Sequence, residues 1–278
     1  YLMNNKFDIS VITPTLNAEK YISRCIASLI SQEKVKVQHI IVDGGSKDKT
    51  LEISKNFNFS EVYILENSSI YSALNYGAKL AKAEILYFLN SDDTVTSKNI
   101  FSEIHEAFKR KNDLSIIYGN CRFINKEKKL IYKLISPSKL DYEIAKKRVF
   151  NISHPSWFIK KDDFNLLNGY NTELKFIADC DLIIRAIENN LRFFYLNLDI
   201  SNFLLHENNA SSTITAKNEF KKYRLKNKKN NVWAEIEYIY IFTKLYAKDL
   251  NYFFYKLNKL YKYLTKGIKS FISLKYKK

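Results

Sequence analysis

EILYFLNSDD, residues 84–93, is an apolar run that ends in an asparagine, a serine and two adjacent aspartates. Ile85, Leu86, Tyr87, Phe88 and Leu89 are strand-forming side chains without polar alternation. Such a run reads as a strand buried on both faces, the habit of parallel sheets covered by helices. Its polar end then emerges where the sheet stops, with two carboxylates side by side. Their repulsion is a cost, and taken alone the dipeptide reads as a turn whose aspartates cap the helix that follows.

Working outward, short apolar runs alternate with amphipathic stretches from Ile9 to about Asn120. ISVITP (9–14) reads as a strand, after which Asn17 is expected to cap a helix carrying Tyr21, Ile22, Cys25, Ile26, Leu29 and Ile30 at helical spacing. VQHIIVD (37–43) is a second strand, followed by GGSKDKT, where Ser46 or Asp48 would cap a helix with Leu51 and Ile53. EVYIL (61–65) is a third strand, 71–81 a helix, and EILYFLN the fourth strand. This alternation predicts βαβ units and a largely parallel sheet. Ligands of such sheets bind beyond the carboxyl ends of the strands, where Thr13, Asp43, Glu66 and Asp92 gather. After Gly119 the pattern is less regular: LIYKLI (130–135), SWFIK (156–160) and RFFYLN (192–197) read as strands, and 181–189 as a helix.

The chain has 278 residues, 46% hydrophobic and 15% aromatic, which supports a large core and excludes extended disorder. Cys25, Cys121 and Cys180 are odd in number and lack metal-ligand spacing, so a disulfide framework and a zinc site are both disfavoured and a reducing compartment is expected. The opening residues show no cleavable signal, and no apolar run reaches membrane-spanning length. Charge is unevenly distributed. From Lys221 onward there are 16 basic and 3 acidic residues, which account for +13 of the net +16. The first 220 residues are nearly balanced.

ISVITPTLN, VDGGSKDKT, IYSALNYGAKLAKAEILYFLNSDD, HPSWF and FIADCDLIIRA, in this order and spacing, resemble glycosyltransferase family 2 over about residues 8–212. The resemblance is nearest to bacterial members that build surface polysaccharides and lipooligosaccharides. It implies the GT-A fold, an α/β Rossmann-like mixed sheet flanked by helices, here followed by an amphipathic helical extension. It divides the chain into a glycosyltransferase domain at 1–225, with a nucleotide-sugar half (8–120) and an acceptor half (121–225), and a basic, aromatic tail at 226–278. It also implies a divalent metal, Mn2+ or Mg2+, bridging the donor's phosphates. In that scheme Asp93 is the metal ligand, Asp92 helps at the ribose or metal, and Asp43 meets the nucleobase. Thr13, Pro14, Thr15, Asn17, Glu66 and Asn75 complete the donor site, His154 touches donor phosphates or acceptor, and His206 contacts metal or phosphate. Asp179 becomes the general base. Each histidine is equally readable as an ordinary hydrogen-bonding residue, and Asp181 as a helix cap. His39 and His105 read as surface positions, and Cys180 as packing. The chain departs from near relatives at ENSSIYSALN, where Ser68, Ser69 and Ser72 stand in for an acidic loop; this bears on the donor sugar and leaves the nucleotide site intact.

From Lys248 to Ile272, residues such as Leu250, Phe253, Phe254, Leu257 and Tyr261 fall on one helical face, with Lys248, Lys256, Lys259 and Lys262 opposite. Such a helix lies at an anionic membrane surface or packs its apolar face on the enzyme. The expected enzyme is a metal-dependent, inverting glycosyltransferase. It takes a UDP-sugar to a glycan or lipid-linked acceptor, in the cytoplasm and peripheral on the inner face of a bacterial membrane. A nucleotidyltransferase-like or retaining enzyme of the same fold is the alternative. A nucleic-acid-binding role, invited by a pI of about 9.5, is disfavoured because the sheet's mouth is acidic and the positive charge sits in the tail.

Overall fold

The computed structural model describes residues 7–140, 152–207, 209 and 219. All belong to the first of the two units into which the chain divides, Tyr1–Lys229 and Asn230–Lys278. The lysine-rich linker at 226–231 and the amphipathic tail lie outside the described residues. Within them the chain is an α/β fold with one mixed sheet. The first half gives β1 (Ile9–Thr15), α1 (Ile22–Ile30), β2 (Val37–Asp43), α2 (Thr50–Asn56), β3 (Ser60–Ile64), α3 (Ile70–Leu80) and β4 (Ile85–Phe88). There follow β5 (Thr94–Val95), α4 (Ile100–Arg110), β6 (Ile116–Ile124), β7 (Leu130–Leu134), β8 (Trp157–Lys160), α5 (Lys161–Leu166), α6 (Ala178–Glu188) and β9 (Phe193–Leu204). Among the described residues the strands run in the order β3-β2-β1-β4-β8-β6-β9-β5, with β7 beside β6.

β1, β2, β3 and β4 are mutually parallel, so their carboxyl ends share one edge. β8 is antiparallel to both β4 and β6, while β9 is parallel to β6. The distal part of β6 therefore continues past that same edge. Side chains of β1 and β4 alternate between two cores, as the pleat requires. Ile12, Leu86 and Phe88 face Tyr71, Leu74 and Ala78 of α3 and Leu182 and Ala186 of α6. Ile9, Val11, Tyr87 and Leu89 face Cys25 and Leu29 of α1 and Phe101, Ile104 and Phe108 of α4. Helix α3 lies very close to β1 because Gly77 has no side chain: a Cβ there would come within 2.4 Å of Ile12 Cγ2.

Several local expectations need correction. Asn17 does not cap α1; it has φ of 51° and the helix begins later, at Ile22, without a side-chain cap. RFFYLN is only the start of a strand that continues to Leu204. β6 carries no clean strand signature because IIYGNCRFI is broken by Gly119 and Asn120, both poor strand formers. The glycine is required there. The β6–β9 register shifts between Tyr118 and Asn120, and a Cβ on Gly119 would lie 2.6 Å from the Leu198 carbonyl.

His39 is the plainest reversal. It is 1% exposed, with Nδ1 2.7 Å from Ser60 Oγ and Nε2 3.0 Å from Thr13 Oγ1. The apolar neighbours in β2 belong to a strand covered on both faces, and His39 is buried with them. Burial lowers its pKa to about 3. The folded state thus holds His39 neutral while the unfolded chain protonates near the ordinary value, so stability is full above about pH 6.5 and falls as pH drops toward 3. His39 alone is expected to cost ~2 kcal/mol of stability between pH 7 and pH 5. Urea unfolding at the two pH values checks this, and a His39→Gln chain should show a distinctly smaller loss. Among the described residues no helix is long and apolar enough to cross a membrane.

Candidate active site

The loops after β1 and β2 are knitted together around Asp43. Its Oδ1 accepts the backbone N–H groups of Gly45 and Ser46 at 2.9 and 2.7 Å. Its Oδ2 accepts the hydroxyls of Thr15 and Ser46 at 2.8 and 2.6 Å. A fully buried carboxylate must be satisfied in this way, and Asp43 is 0% exposed. The residue expected to face the nucleobase organises its own loop, with Gly45 at φ 97° curling the two amides round it. Asn17 joins the loops from the other side: its backbone N–H donates to Ser46 Oγ at 2.8 Å, and its Oδ1 accepts from the Lys47 N–H at 2.9 Å. Asp48, proposed as a helix cap, accepts from the backbone N–H groups of Thr50 and Glu19. Thr13, Pro14 and Thr15 are all buried in β1, and the Thr13 hydroxyl is turned toward His39. Leu16, Asn17 and Glu66 form the exposed rim, with Glu66 beside Gly45.

At the end of β4 the two aspartates separate. Asp93 is 1% exposed; its Oδ1 accepts the Leu204 N–H at 3.0 Å and its Oδ2 the Asn90 side-chain amide at 3.3 Å. Burial, and then the neighbouring Asp92 charge, push its carboxyl well above the usual carboxylate range. Asp93, expected as the metal ligand, is thus a buried tie between the β4 turn and the end of β9. That tie delivers the next turn of chain to Asp92. His206 Nε2 lies 2.9 Å from Asp92 Oδ2, and Asp92 keeps 20% of its side chain exposed. Residues invisible to the sequence reading build this pair. Asn209 accepts the His206 N–H at 2.7 Å and donates to Asp92 Oδ2 at 3.3 Å. The Tyr21 ring stacks on the His206 ring at 5.0 Å, and Arg24 donates to the Asp92 carbonyl at 3.0 Å. Asn209 had one available signal, its place three residues after His206 in a polar loop; Tyr21 and Arg24 had none.

Asp179 sits in the first turn of α6, which begins at Ala178 rather than at 181, so Asp179 and Asp181 are both helical. The two aspartates consequently face different ways. Asp181 is no cap; it pairs with Arg185 at 2.7 Å. Cys180 is buried, as packing requires. Asp179 Oδ1 accepts the Tyr71 hydroxyl at 3.2 Å, and Tyr71 belongs to the first turn of α3. Because α3 follows β3, its amino end lies at the carboxyl edge of the parallel strands, the same edge that carries Asp92. His154 is 3.1 Å from the Tyr170 hydroxyl; burial lowers its pKa and the charge of Asp179 acts the other way. Asn75, expected at the donor, instead clasps a neighbouring backbone. Its side-chain amide accepts from the Tyr170 N–H and donates to the Tyr170 carbonyl, at 2.9 and 2.8 Å.

Residues 10–167, more than half of the chain, match the sequence pattern of glycosyl transferase family 2. The chain belongs to that family. A PGL/p-HBAD biosynthesis glycosyltransferase of Mycobacterium bovis is 28% identical over 185 residues, 65% of this chain and 70% of the relative. The chondroitin synthase of Pasteurella multocida is 28% identical over 207 residues, 73% of this chain and 21% of that much longer protein. The crystal structure of S. aureus TarS 1-349 with UDP-GlcNAc has a TM-score of 0.62 at 21% identity, covering 74% of this chain and 61% of that one. The chain thus spans about three fifths of that solved structure. As a member of family 2 it is a glycosyltransferase, and its mixed sheet with flanking helices is the fold of the TarS structures.

Family 2 chemistry commonly uses a divalent ion, and the residues here can be tested for one. Among the described residues no three His, Cys, Asp or Glu side chains gather as a complete protein cage. The pair that does converge is a partly exposed carboxylate and an imidazole nitrogen, Asp92 and His206. That donor set fits Mn2+, which accepts a carboxylate oxygen and an imidazole nitrogen and can draw its other ligands from phosphates and water; Mg2+, which takes oxygen ligands, would use Asp92 alone.

Proposed function

We propose that this glycosyltransferase moves a sugar from a UDP-sugar to a hydroxyl of a glycan or lipid-linked acceptor, with inversion and with a divalent ion, in building a bacterial surface polysaccharide or lipooligosaccharide. The observation that carries this reading is the pairing, on one edge of the sheet, of Asp92 with His206 and of Asp179 with Tyr71. The first pair would hold Mn2+, or Asp92 alone Mg2+, and the ion when bound would neutralise the charge of the departing diphosphate. The Gly44–Gly45 loop and the rim formed by Asn17 and Glu66 would receive the nucleoside. Asp179 would take the proton of the acceptor hydroxyl as its oxygen attacks the anomeric carbon, the bond to the diphosphate breaking on the opposite face. UDP as the nucleotide is supported by the UDP-GlcNAc complex of TarS, and a glycan as the product by the likeness to a chondroitin synthase. Release of UDP from a panel of UDP-sugars tests the reading. It should depend on MnCl2 and stop in EDTA, and the product's anomeric proton should show inversion. UDP release undiminished in EDTA would remove the metal, and retention would remove the single displacement.

The tail supports peripheral attachment to the inner face of the membrane, because it concentrates +13 of the charge in the residues from Lys221 onward. Truncation after Lys229 is expected to abolish sedimentation with anionic vesicles, each lysine near the surface having contributed ~1 kcal/mol. Equal pelleting of full-length and truncated chains, at low and high salt, would mean that the apolar face covers the enzyme instead.

A further inference from the structure

We propose that Tyr71 is the positioning residue for the base: its hydroxyl fixes the Asp179 carboxylate, and helix α3 thereby links that carboxylate to the nucleotide loop. The proposal rests on the reading of Asp179 as general base. It stands on three attachments made by one stretch of chain. At the start, the N–H of Leu65 donates to the Asp43 carbonyl and that of Asn67 to the Gly44 carbonyl, at 2.8 and 3.1 Å, so the segment leading into α3 is bonded to the loop after β2. One turn on, Tyr71 donates to Asp179 Oδ1 at 3.2 Å. A further turn on, Asn75 grips the backbone of Tyr170 through both ends of its amide, and Tyr170 in turn meets His154.

Tyr71 is built for holding. It is 6% exposed, and its ring lies 5.2 Å from that of Tyr170. Burial first, and then the charge of Asp179, raise its pKa well above the ordinary value, so its proton stays on the phenol and can only be donated. His154, Tyr170 and Cys180 also feel the Asp179 charge. These neighbours are neutral, and among the described residues none is a cation paired with Asp179. Without a donor from α3 the carboxylate would turn about its side-chain bonds, and a misplacement of the base by a fraction of an ångström is costly in a proton transfer. Tyr71 need not touch substrate for this.

The test uses the full chain in MnCl2 and the UDP-sugar that it hydrolyses fastest among UDP-glucose, UDP-galactose and UDP-GlcNAc, with water as acceptor and UDP release as the signal. Tyr71→Phe keeps the ring and its stacking and deletes only the hydroxyl. The expected result is a kcat lowered roughly 10- to 100-fold, the range for a hydrogen bond to a charged group, with KM for the UDP-sugar unchanged. In an Asp179→Asn background the same substitution should cause no further loss, because the two residues act as one unit. An equal fold loss in both backgrounds, or a raised KM with kcat intact, would assign Tyr71 to packing and overturn the proposal while leaving the base in place. Wild-type rates in Asp179→Asn would instead remove the base, and the proposal with it. A second cycle, with Asp179→Ala in place of Asn and read as urea midpoints, is independent of activity: additive midpoints would mean that the bond is not made in solution, which also overturns the proposal.

Discussion

Asp179→Asn is expected to lower sugar transfer by about two to four orders of magnitude, the usual range for a lost general base, while donor affinity measured by calorimetry stays at the wild-type value. The substitution keeps size and hydrogen bonding and removes the lone basic function beside Tyr71. Donor affinity should survive because the donor loops and the Asp92–His206 pair belong to other elements, β1, β2, β4 and the end of β9. Near-normal turnover would place the base elsewhere. It would not pass to Asp181, which already neutralises Arg185 and whose removal should chiefly reduce stability.

Asp92→Ala is expected to have the opposite profile. Removing an outer-shell partner of a metal typically costs 10- to 100-fold in affinity, and a direct ligand at a site with so few protein ligands should cost at least ~100-fold in Mn2+-dependent donor binding. Binding of the free nucleoside, which needs no diphosphate contact, should be nearly unaffected. Asp93→Ala offers the contrast: its carboxyl ties Leu204 to the β4 turn, so its loss should appear first as a lower unfolding midpoint and only through that as weaker binding. Equal metal dependence in Asp92→Ala and wild type would contradict the division of labour between the two aspartates.

These residues also mark how far the sequence could be read. The apolar run before NSDD and the β1 and β2 runs announced the parallel half, because strands buried on both faces leave an unmistakable composition. β2 emerged with the bounds expected of it, Val37–Asp43. The type of residue at each strand end was legible for the same reason. Orientation was not. Adjacent aspartates look alike in a sequence, whereas in the fold the pleat and the arrival of β9 decide that one is buried against Leu204 and the other faces His206. Asp43 was ambiguous likewise, since a carboxylate at a strand end serves equally to receive a ligand or to satisfy a glycine turn, and its four loop donors could not be read from the sequence. The second half was legible only in pieces because its pairings are long-range: β6 and β9 meet across a bulge at Gly119, and no local pattern encodes the Leu198 carbonyl that forbids a side chain there.

In the proposed site the divalent ion and the donor's diphosphate meet at Asp92 and His206. Anomalous scattering at the manganese edge, from crystals of the full chain grown with UDP and MnCl2, tests this most directly. A single strong peak is expected, bound by the Asp92 carboxylate and the His206 imidazole, with the UDP phosphates on its open side and Asp93 still bonded to the Leu204 N–H. A peak held by Asp93, or UDP bound with no manganese beside Asp92, would contradict it.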